Sequence, residues 1–179
     1  MDKEALERVA GLVARRNAID AEIAAIVGRP LVAGHLGEWI ASQVFDISLE
    51  LSASARAIDG RFAFGPLAGR TVSIKWYGKR DGLLNVSTSP LLDYYLVMTG
   101  PPTPPGSSRG TTCPLLIAAV YLFNATRLLE ALRTRGVNLG VATSVRAHLW
   151  ERAEIYPRAS NPELPLTPAQ REALARFGG

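Results

Sequence analysis

The sequence predicts an α/β fold in which a central mixed sheet is flanked by helices, with a helical extension at the N-terminus. Apolar residues recur with helical periodicity at residues 3–27 and again at residues 126–135. Strand-like runs lie between these two segments. Composition allows a sizeable core, because 47% of the 179 residues are apolar and 20% are charged. These values exclude an intrinsically disordered chain.

By pattern, the chain divides into three parts. Residues 1–30 are expected to form the helical extension, residues 31–156 the α/β domain, and residues 157–179 a Pro-rich tail with a C-terminal helix that a capping box at Thr167 begins. The apolar stripe of the extension is interrupted near Asn17, so one long helix and a helical hairpin are both open. We expect the extension to pack on the domain or on a second copy, which would make a homodimer.

Four strand-like runs follow a helix expected over residues 33–47 and a connection at residues 48–55. They are rich in β-branched and aromatic residues and are bounded by turn residues. The runs cover residues 57–64, 70–77, 91–99 and 115–123. The most apolar run, residues 91–99, suits the middle of a sheet. Residues 83–86 are expected to extend or pair with the run at 70–77.

Shorter elements complete the second half of the chain. Residues 100–112 are rich in Pro and Gly and predict a loop. The helix at residues 126–135 is followed by a shorter helix that ends near Trp150. Either Thr143 or Ser144 is expected to cap that helix.

The basic excess is consistent with a polyanionic partner. The net charge is +4, the isoelectric point is near 9.6, and 17 of the 20 basic residues are Arg, whose planar guanidinium suits bidentate phosphate contacts. A genome rich in GC codons would give the same bias, so both explanations stay open.

Several classes of protein are disfavoured by simple counts. The single cysteine, Cys113, allows neither an internal disulfide nor a cysteine-based zinc site, and the two histidines lack zinc-ligand spacing. The acidic, amphipathic N-terminus does not predict a signal peptide. The longest apolar run, at residues 113–123, is too short to cross a bilayer. We therefore expect a cytoplasmic protein with no membrane partner.

Residues 56–77 hold the polar groups that point to chemistry. Asp59 lies on one predicted strand, and Ser73 and Lys75 share a face of the next, because alternate strand residues point the same way. Phosphodiester cleavage uses a metal to polarise the phosphate and activate water, and Mg²⁺ prefers carboxylate oxygens. A lysine near the metal can orient the attacking water and offset developing charge.

This stretch resembles the PD-(D/E)XK nuclease superfamily, which has the restriction-endonuclease-like fold. In that family a helix that often carries Glu precedes a strand bearing Asp, and the next strand carries Asp or Glu, any residue, then Lys. The corresponding stretches here are Gly34-x-x-Gly37-Glu38, Ile58-Asp59-Gly60 and Val72-Ser73-Ile74-Lys75. The resemblance covers about residues 33–100.

The resemblance implies a catalytic set of Asp59, Lys75, Glu38 and Ser73, with Mg²⁺ or Mn²⁺ bound by Asp59 and Glu38. Ser73 departs from the family, which has a carboxylate there, so Glu38 is the expected substitute ligand. The implied function is a Mg²⁺-dependent nuclease acting on DNA, in defence or repair. The alternatives are an inactive nuclease-fold module that binds nucleic acid or a protein, and an interaction protein assembled through its N-terminal helices.

Five basic residues near the motif are expected to form a rim that contacts phosphates. They are Arg56, Arg61, Arg70, Lys79 and Arg80. Asp93 is a further carboxylate within a predicted strand and a lesser candidate ligand.

Overall fold

The computed structural model describes residues 3–50, 57–102 and 114–178. Within these ranges the helices are α1 (Lys3–Val27), α2 (Ala33–Phe45), α3 (Ala125–Arg133), α4 (Ala147–Ala153) and α5 (Pro168–Ala175). The strands are β1 (Ile47–Leu49), β2 (Gly60–Phe62), β3 (Thr71–Tyr77), β4 (Leu83–Leu84), β5 (Tyr94–Thr99), β6 (Ala119–Asn124), β7 (Thr143–Ser144) and β8 (Glu154–Tyr156).

Six of these strands form one mixed sheet in the order β1-β2-β3-β5-β6-β8. β3 and β5 are parallel, and every other neighbouring pair in the sheet is antiparallel. The α/β class with a central mixed sheet is therefore confirmed. β5 lies between β3 and β6, as its apolar sequence predicts, and all six of its residues are buried.

The sheet separates two apolar cores. On one face, alternate residues of β3 and β5 such as Val72, Ile74 and Met98 pack against α2 and α5. On the other face, Tyr95 and Val97 pack with side chains of β6, α3 and α4. Because β3 and β5 are in register, Ser73 lies beside Tyr95 and Lys75 beside Val97, on this second face.

α2 lies close to the first face because Gly37 carries no side chain. A Cβ atom on Gly37 would lie 3.0 Å from the Cβ of Trp76, which is tighter than normal packing. The helix ends at Phe45, two residues before the predicted end. Asp46 takes a left-handed conformation with φ of 52° and turns the chain into β1, which pairs with β2.

Several predicted boundaries are wrong for local reasons. The strand predicted at residues 57–64 is limited to β2, because Ala57 and Gly65 both have positive φ. β1 occupies part of the connection predicted at residues 48–55. β4 pairs with β7 and does not pair with β3, whose second edge is taken by β5.

In the second half, α4 begins at Ala147, after Arg146, and neither Thr143 nor Ser144 caps it. The Thr143 hydroxyl bonds instead to backbone atoms of Gly140. β8 follows α4 directly and was not predicted, because its three residues form too short a run to show a strand pattern.

Of the two alternatives for the N-terminal extension, the structure has one continuous helix, α1, which excludes the hairpin. The predicted capping box of α5 is confirmed in Thr167 and Gln170. α3 begins one residue before its predicted start, after Asn124, whose side chain accepts the Arg127 N–H. The C-terminal segment belongs to the first core, where Leu174 is fully buried. No described helix is long and apolar enough to cross a membrane. The loop predicted at residues 100–112 lies mostly outside the described residues.

Asp93, the lesser candidate ligand, joins the start of β3 to the start of β5. Its Oδ2 atom accepts the Thr71 N–H at 2.8 Å and lies 2.9 Å from the Thr71 hydroxyl, and its Oδ1 accepts from Arg70 at 3.1 Å. Burial alone would raise the pKa of Asp93, but the bonds from Thr71 and Arg70 lower it below its ordinary value near 3.8. The ionised carboxylate is therefore a structural acceptor.

We expect Asp93→Asn to reduce the free energy of unfolding at pH 7 by about 1–2 kcal/mol, because the variant loses charge-assisted hydrogen bonds. Since the folded-state pKa is lowered, this stabilisation is complete above the unfolded pKa and is lost as pH falls through the folded value. Urea unfolding at neutral and acidic pH measures the difference. Glu130→Gln, on an exposed carboxylate, is the control, and a difference that persists in acid would contradict a stabilising charge.

Candidate functional site

Asp59, Ser73 and Lys75 come together at the start of β2. Oδ2 of Asp59 accepts the Ile74 backbone N–H at 2.6 Å and the Ser73 hydroxyl at 3.1 Å, and Nζ of Lys75 lies 3.5 Å from the same oxygen. The carboxylate is therefore surrounded by three donors from one strand. The sequence prediction that these three side chains share a face agrees with this geometry.

The carboxylate also continues the pairing of two strands. β2 pairs with β3 only through Gly60 and Arg61, opposite Val72 and Thr71. The Asp59 N–H still donates to the Val72 carbonyl at 2.9 Å, and the Asp59 side chain then continues the ladder, because its Oδ2 accepts the Ile74 N–H. A buried amide without an acceptor is costly, so this bond has a structural role independent of any chemistry.

A cleft of about 250 Å³ lies beside this group. Ser73 and Lys75 form one wall, Asn85 and Ser87 come from the segment after β4, and Gly140 comes from the segment after α3. The lining is mixed: Ala57, Val86 and Val141 add apolar surface, while the polar groups of Ser73, Lys75, Asn85 and Ser87 can form hydrogen bonds with a ligand. The cleft has room for a small ligand together with water molecules.

Two tyrosines hold the segment that forms the far wall of the cleft. The Tyr95 hydroxyl donates to the Ser87 carbonyl and accepts the Ser87 N–H, both at 2.8 Å, and the Tyr77 hydroxyl accepts the Asn85 N–H at 3.0 Å. Burial raises the pKa of Tyr77 and of Tyr95. Both hydroxyls therefore stay protonated at neutral pH and act as structural groups.

Glu38 does not join this group. It lies on α2, which packs on the first face of the sheet, whereas Ser73 and Lys75 point to the second face. Its Oε2 accepts from Nη1 of Arg29 at 2.5 Å. The expected carboxylate pair of Asp59 and Glu38 is not formed. The apolar residues of α2 explain this, because they direct Glu38 away from the sheet.

The described residues do not fit a magnesium centre built from two carboxylates. No group of three His, Cys, Asp or Glu side chains that could hold a metal occurs in the described ranges. Ser73 stands where the second carboxylate is expected, and its hydroxyl donates to Asp59. Asp59 is left as the one carboxylate of this cluster, with one oxygen already bonded to protein donors.

The basic residues predicted as a phosphate rim are mostly paired with acids. Arg61 lies 3.7 Å from Glu50, and Lys79 lies 3.5 Å from Asp81. Arg70 bonds to Asp93 as described above. Each pair is partly exposed, so each contributes at most about 1 kcal/mol to stability and can exchange its acid for another anion.

Arg80 and Arg56 differ from the other three. Nε of Arg80 is buried and has no hydrogen-bond partner within the described chain, beside a second cleft of about 320 Å³ that Trp150 also lines. Arg56 lies outside the described residues. The single rim expected from the sequence is therefore divided over separate places.

Sequence reasoning missed Asn85, Ser87, Tyr95 and Gly140 as site neighbours. They come from separate segments that only the fold brings beside Lys75. No spacing pattern in the sequence around these residues indicates that they lie near Lys75. The acid partners were easier to find, because Glu50 and Asp81 lie near Arg61 and Lys79 in the sequence. A count of acids around each base would have weakened the expectation of an unpaired basic rim.

We expect Asp59→Ala to lower the free energy of unfolding by about 1–3 kcal/mol, because Ile74 N–H loses its acceptor. Lys75→Met should change it by less than about 1 kcal/mol, since the ion pair is long at 3.5 Å and both side chains still reach solvent. Urea unfolding followed by tryptophan fluorescence measures both. Glu172→Ala, whose ion pair with Arg176 lies on the surface, is the control for loss of a carboxylate. Equal effects of Asp59→Ala and Glu172→Ala would contradict the structural role.

Comparison of the sequence with models of protein families and with curated proteins gives no match. The resemblance to PD-(D/E)XK nucleases therefore depends on the order of the elements and on the three residues that meet at β2 and β3.

Proposed function

We propose that this protein is a nuclease-like α/β module that binds nucleic acid, with DNA as the expected partner, and does not cleave it. One observation carries the proposal. At the place where a nuclease of this kind would hold its metal, Oδ2 of Asp59 is already engaged by protein groups: it accepts from Ser73 and Ile74 and lies beside Lys75. Glu38 is on the other side of the sheet and bonded to Arg29.

Binding to a polyanion is supported by charge. The chain carries a net charge of +4, and arginine makes up 17 of its 20 basic residues. The ion pairs of Arg61 and Lys79 are partly exposed, so phosphate can replace their carboxylate partners at little cost. Release of counterions from DNA would then supply most of the affinity.

A Mg²⁺-dependent nuclease is the second candidate, and one feature of Asp59 favours it. Within the described ranges no residue donates a hydrogen bond to Oδ1 of Asp59, and the side chain is 23% exposed. Mg²⁺ in nucleotide-processing sites is often bound by one or two carboxylates together with substrate phosphates. The second candidate therefore requires substrate to complete the metal site.

Fluorescence anisotropy with labelled duplex and single-stranded DNA tests the first proposal. We expect the affinity to fall steeply between about 50 and about 200 mM salt, and the variants Arg61→Gln and Lys79→Gln each to reduce the salt slope by about one. Arg176→Gln, at the C-terminal end of α5, is the matched control. Incubation with Mg²⁺ or Mn²⁺ should give no cleavage.

Each other outcome selects a different function. Cleavage that needs Mg²⁺ and disappears in Asp59→Asn would overturn the first proposal and establish the second. The absence of salt-sensitive DNA binding in every variant would contradict both, and would leave an interaction protein whose basic charge is incidental.

Restoring the missing carboxylate gives an independent test. We expect Ser73→Asp to bind Mn²⁺ more tightly than the wild type in isothermal titration calorimetry, because a second carboxylate then lies beside Asp59. Ser73→Asn, which has a similar size and no charge, is the control, and circular dichroism verifies that both variants fold. Equal Mn²⁺ affinity in the wild type and in Ser73→Asp would show that the native site is already complete.

A further inference from the structure

α1 presents an apolar stripe that the rest of the described chain does not cover. Every side chain described between residues 4 and 19 is exposed, and partial burial occurs only in the last two turns. The large apolar side chains of this helix that are exposed, with their exposed fractions, are Val9 (53%), Leu12 (49%), Val13 (49%), Ile19 (56%) and Ile26 (71%).

Such a helix requires apolar contact to be stable. Isolated helices in water are marginal even when rich in alanine, and most helix stability in proteins comes from packing of an apolar face. α1 has 25 residues, includes Gly11, and touches the rest of the chain mainly near its C-terminal end. The exposed stripe is therefore a surface that another helix or body must cover.

The spacing of the stripe identifies what kind of surface covers it. Steps of three and four residues alternate without a break through the positions Val9, Leu12, Arg16, Ile19, Ile23 and Ile26. An alternation of three and four is the a/d pattern of a coiled coil, which forms a narrower seam than the face of a helix on a globular core. Arg16 is the one polar residue in the seam, and Ile23 is its one partly buried member.

The charges of α1 complement a second copy of the same helix. Its polar positions carry four acids and four bases: Glu4, Glu7, Asp20 and Glu22, and Lys3, Arg8, Arg15 and Arg16. Arg15 and Arg16 lie near the middle of α1, with two of the acids on the N-terminal side of them and two on the C-terminal side. A balanced face does not favour an anionic membrane surface, which selects helices with a basic polar face.

We propose that α1 pairs with α1 of a second copy as an antiparallel two-stranded coiled coil. In this arrangement Leu12 packs against Ile23 of the other copy, and Val9 packs against Ile26. Arg16 then lies opposite Ile19, within reach of Asp20 on its own helix, whose Oδ2 is 3.6 Å from Nε of Arg16.

Orientation follows from the position of the arginines. A parallel pair would place Arg16 against Arg16 in one layer of the seam, where two like charges repel. The antiparallel pair avoids this contact and sets Arg15 of each copy opposite Glu22 of the other, so that two such pairs form along one side of the seam. The two α/β domains then lie at opposite ends of the coiled coil. This inference does not depend on nucleic-acid binding.

Light scattering of the full chain after size exclusion tests the assembly. We expect a mass of twice 19.3 kDa, reduced to one chain by the double variant Leu12→Glu, Ile19→Glu. The matched control is Ala14→Glu, Ala21→Glu, which adds the same charge at exposed positions on the other side of α1. A wild-type protein that stays monomeric at tens of micromolar, or a control as monomeric as the seam variant, would overturn the proposal.

Disulfide cross-linking in a Cys113→Ser background tests the orientation. The double variant Leu12→Cys, Ile23→Cys should form a covalent dimer on oxidation, because each cysteine meets the other position of the second copy. The single variant Leu12→Cys should not. Efficient cross-linking of Leu12→Cys alone would show a parallel pair and overturn the antiparallel arrangement.

Discussion

The hydrogen bond from Ile74 N–H to Oδ2 of Asp59 is the contact on which the arrangement of the candidate site depends. β2 has three residues and pairs with β3 over only two of them, so few backbone hydrogen bonds attach it to the sheet. The Asp59 carboxylate adds a hydrogen bond to one more amide of β3. It also contacts Ser73 and Lys75 at the same point. β1 pairs on the outer edge of β2 and so depends on the same contact.

A structural carboxylate is a different chemical group from a catalytic one. Each donor that approaches Oδ2 of Asp59 offsets part of the negative charge that a metal ion would need. The nearest candidate to restore that charge, Glu38, belongs to the helix that covers the opposite core. Ion pairs with nearby acids neutralise part of the positive charge of Arg61, Arg70 and Lys79. The missing second carboxylate is the feature that supports the proposed binding without hydrolysis.

Sequence reasoning succeeded where local chemistry decides the structure. The apolar run of β5, the alternation of β3 and the capping box at Thr167 each encode their own element, and the structure has all three. It failed at β1 and β8, which are three residues long and exist because a neighbouring strand offers an unpaired edge. Ser73 and Lys75 could be predicted to share a face, since the alternation of β3 sets it, whereas Asp59 lies just before β2 and reaches them through its bond to the Ile74 N–H. The position of Glu38 could not, because it depends on which side of the sheet α2 covers.

The double use of Asp59 has a consequence for how this sequence can change over time. Selection for folding alone would retain an acceptor at position 59, whether or not the protein ever meets a metal. A lineage that lost cleavage would therefore keep part of the appearance of a nuclease. Folding does not require a carboxylate at position 73, since the hydroxyl of Ser73 donates to Asp59 and its backbone pairs in the sheet. If the proposed function is correct, loss of cleavage would be recorded at position 73 first, and replacing Ser73 by an acid would give a site with two carboxylates.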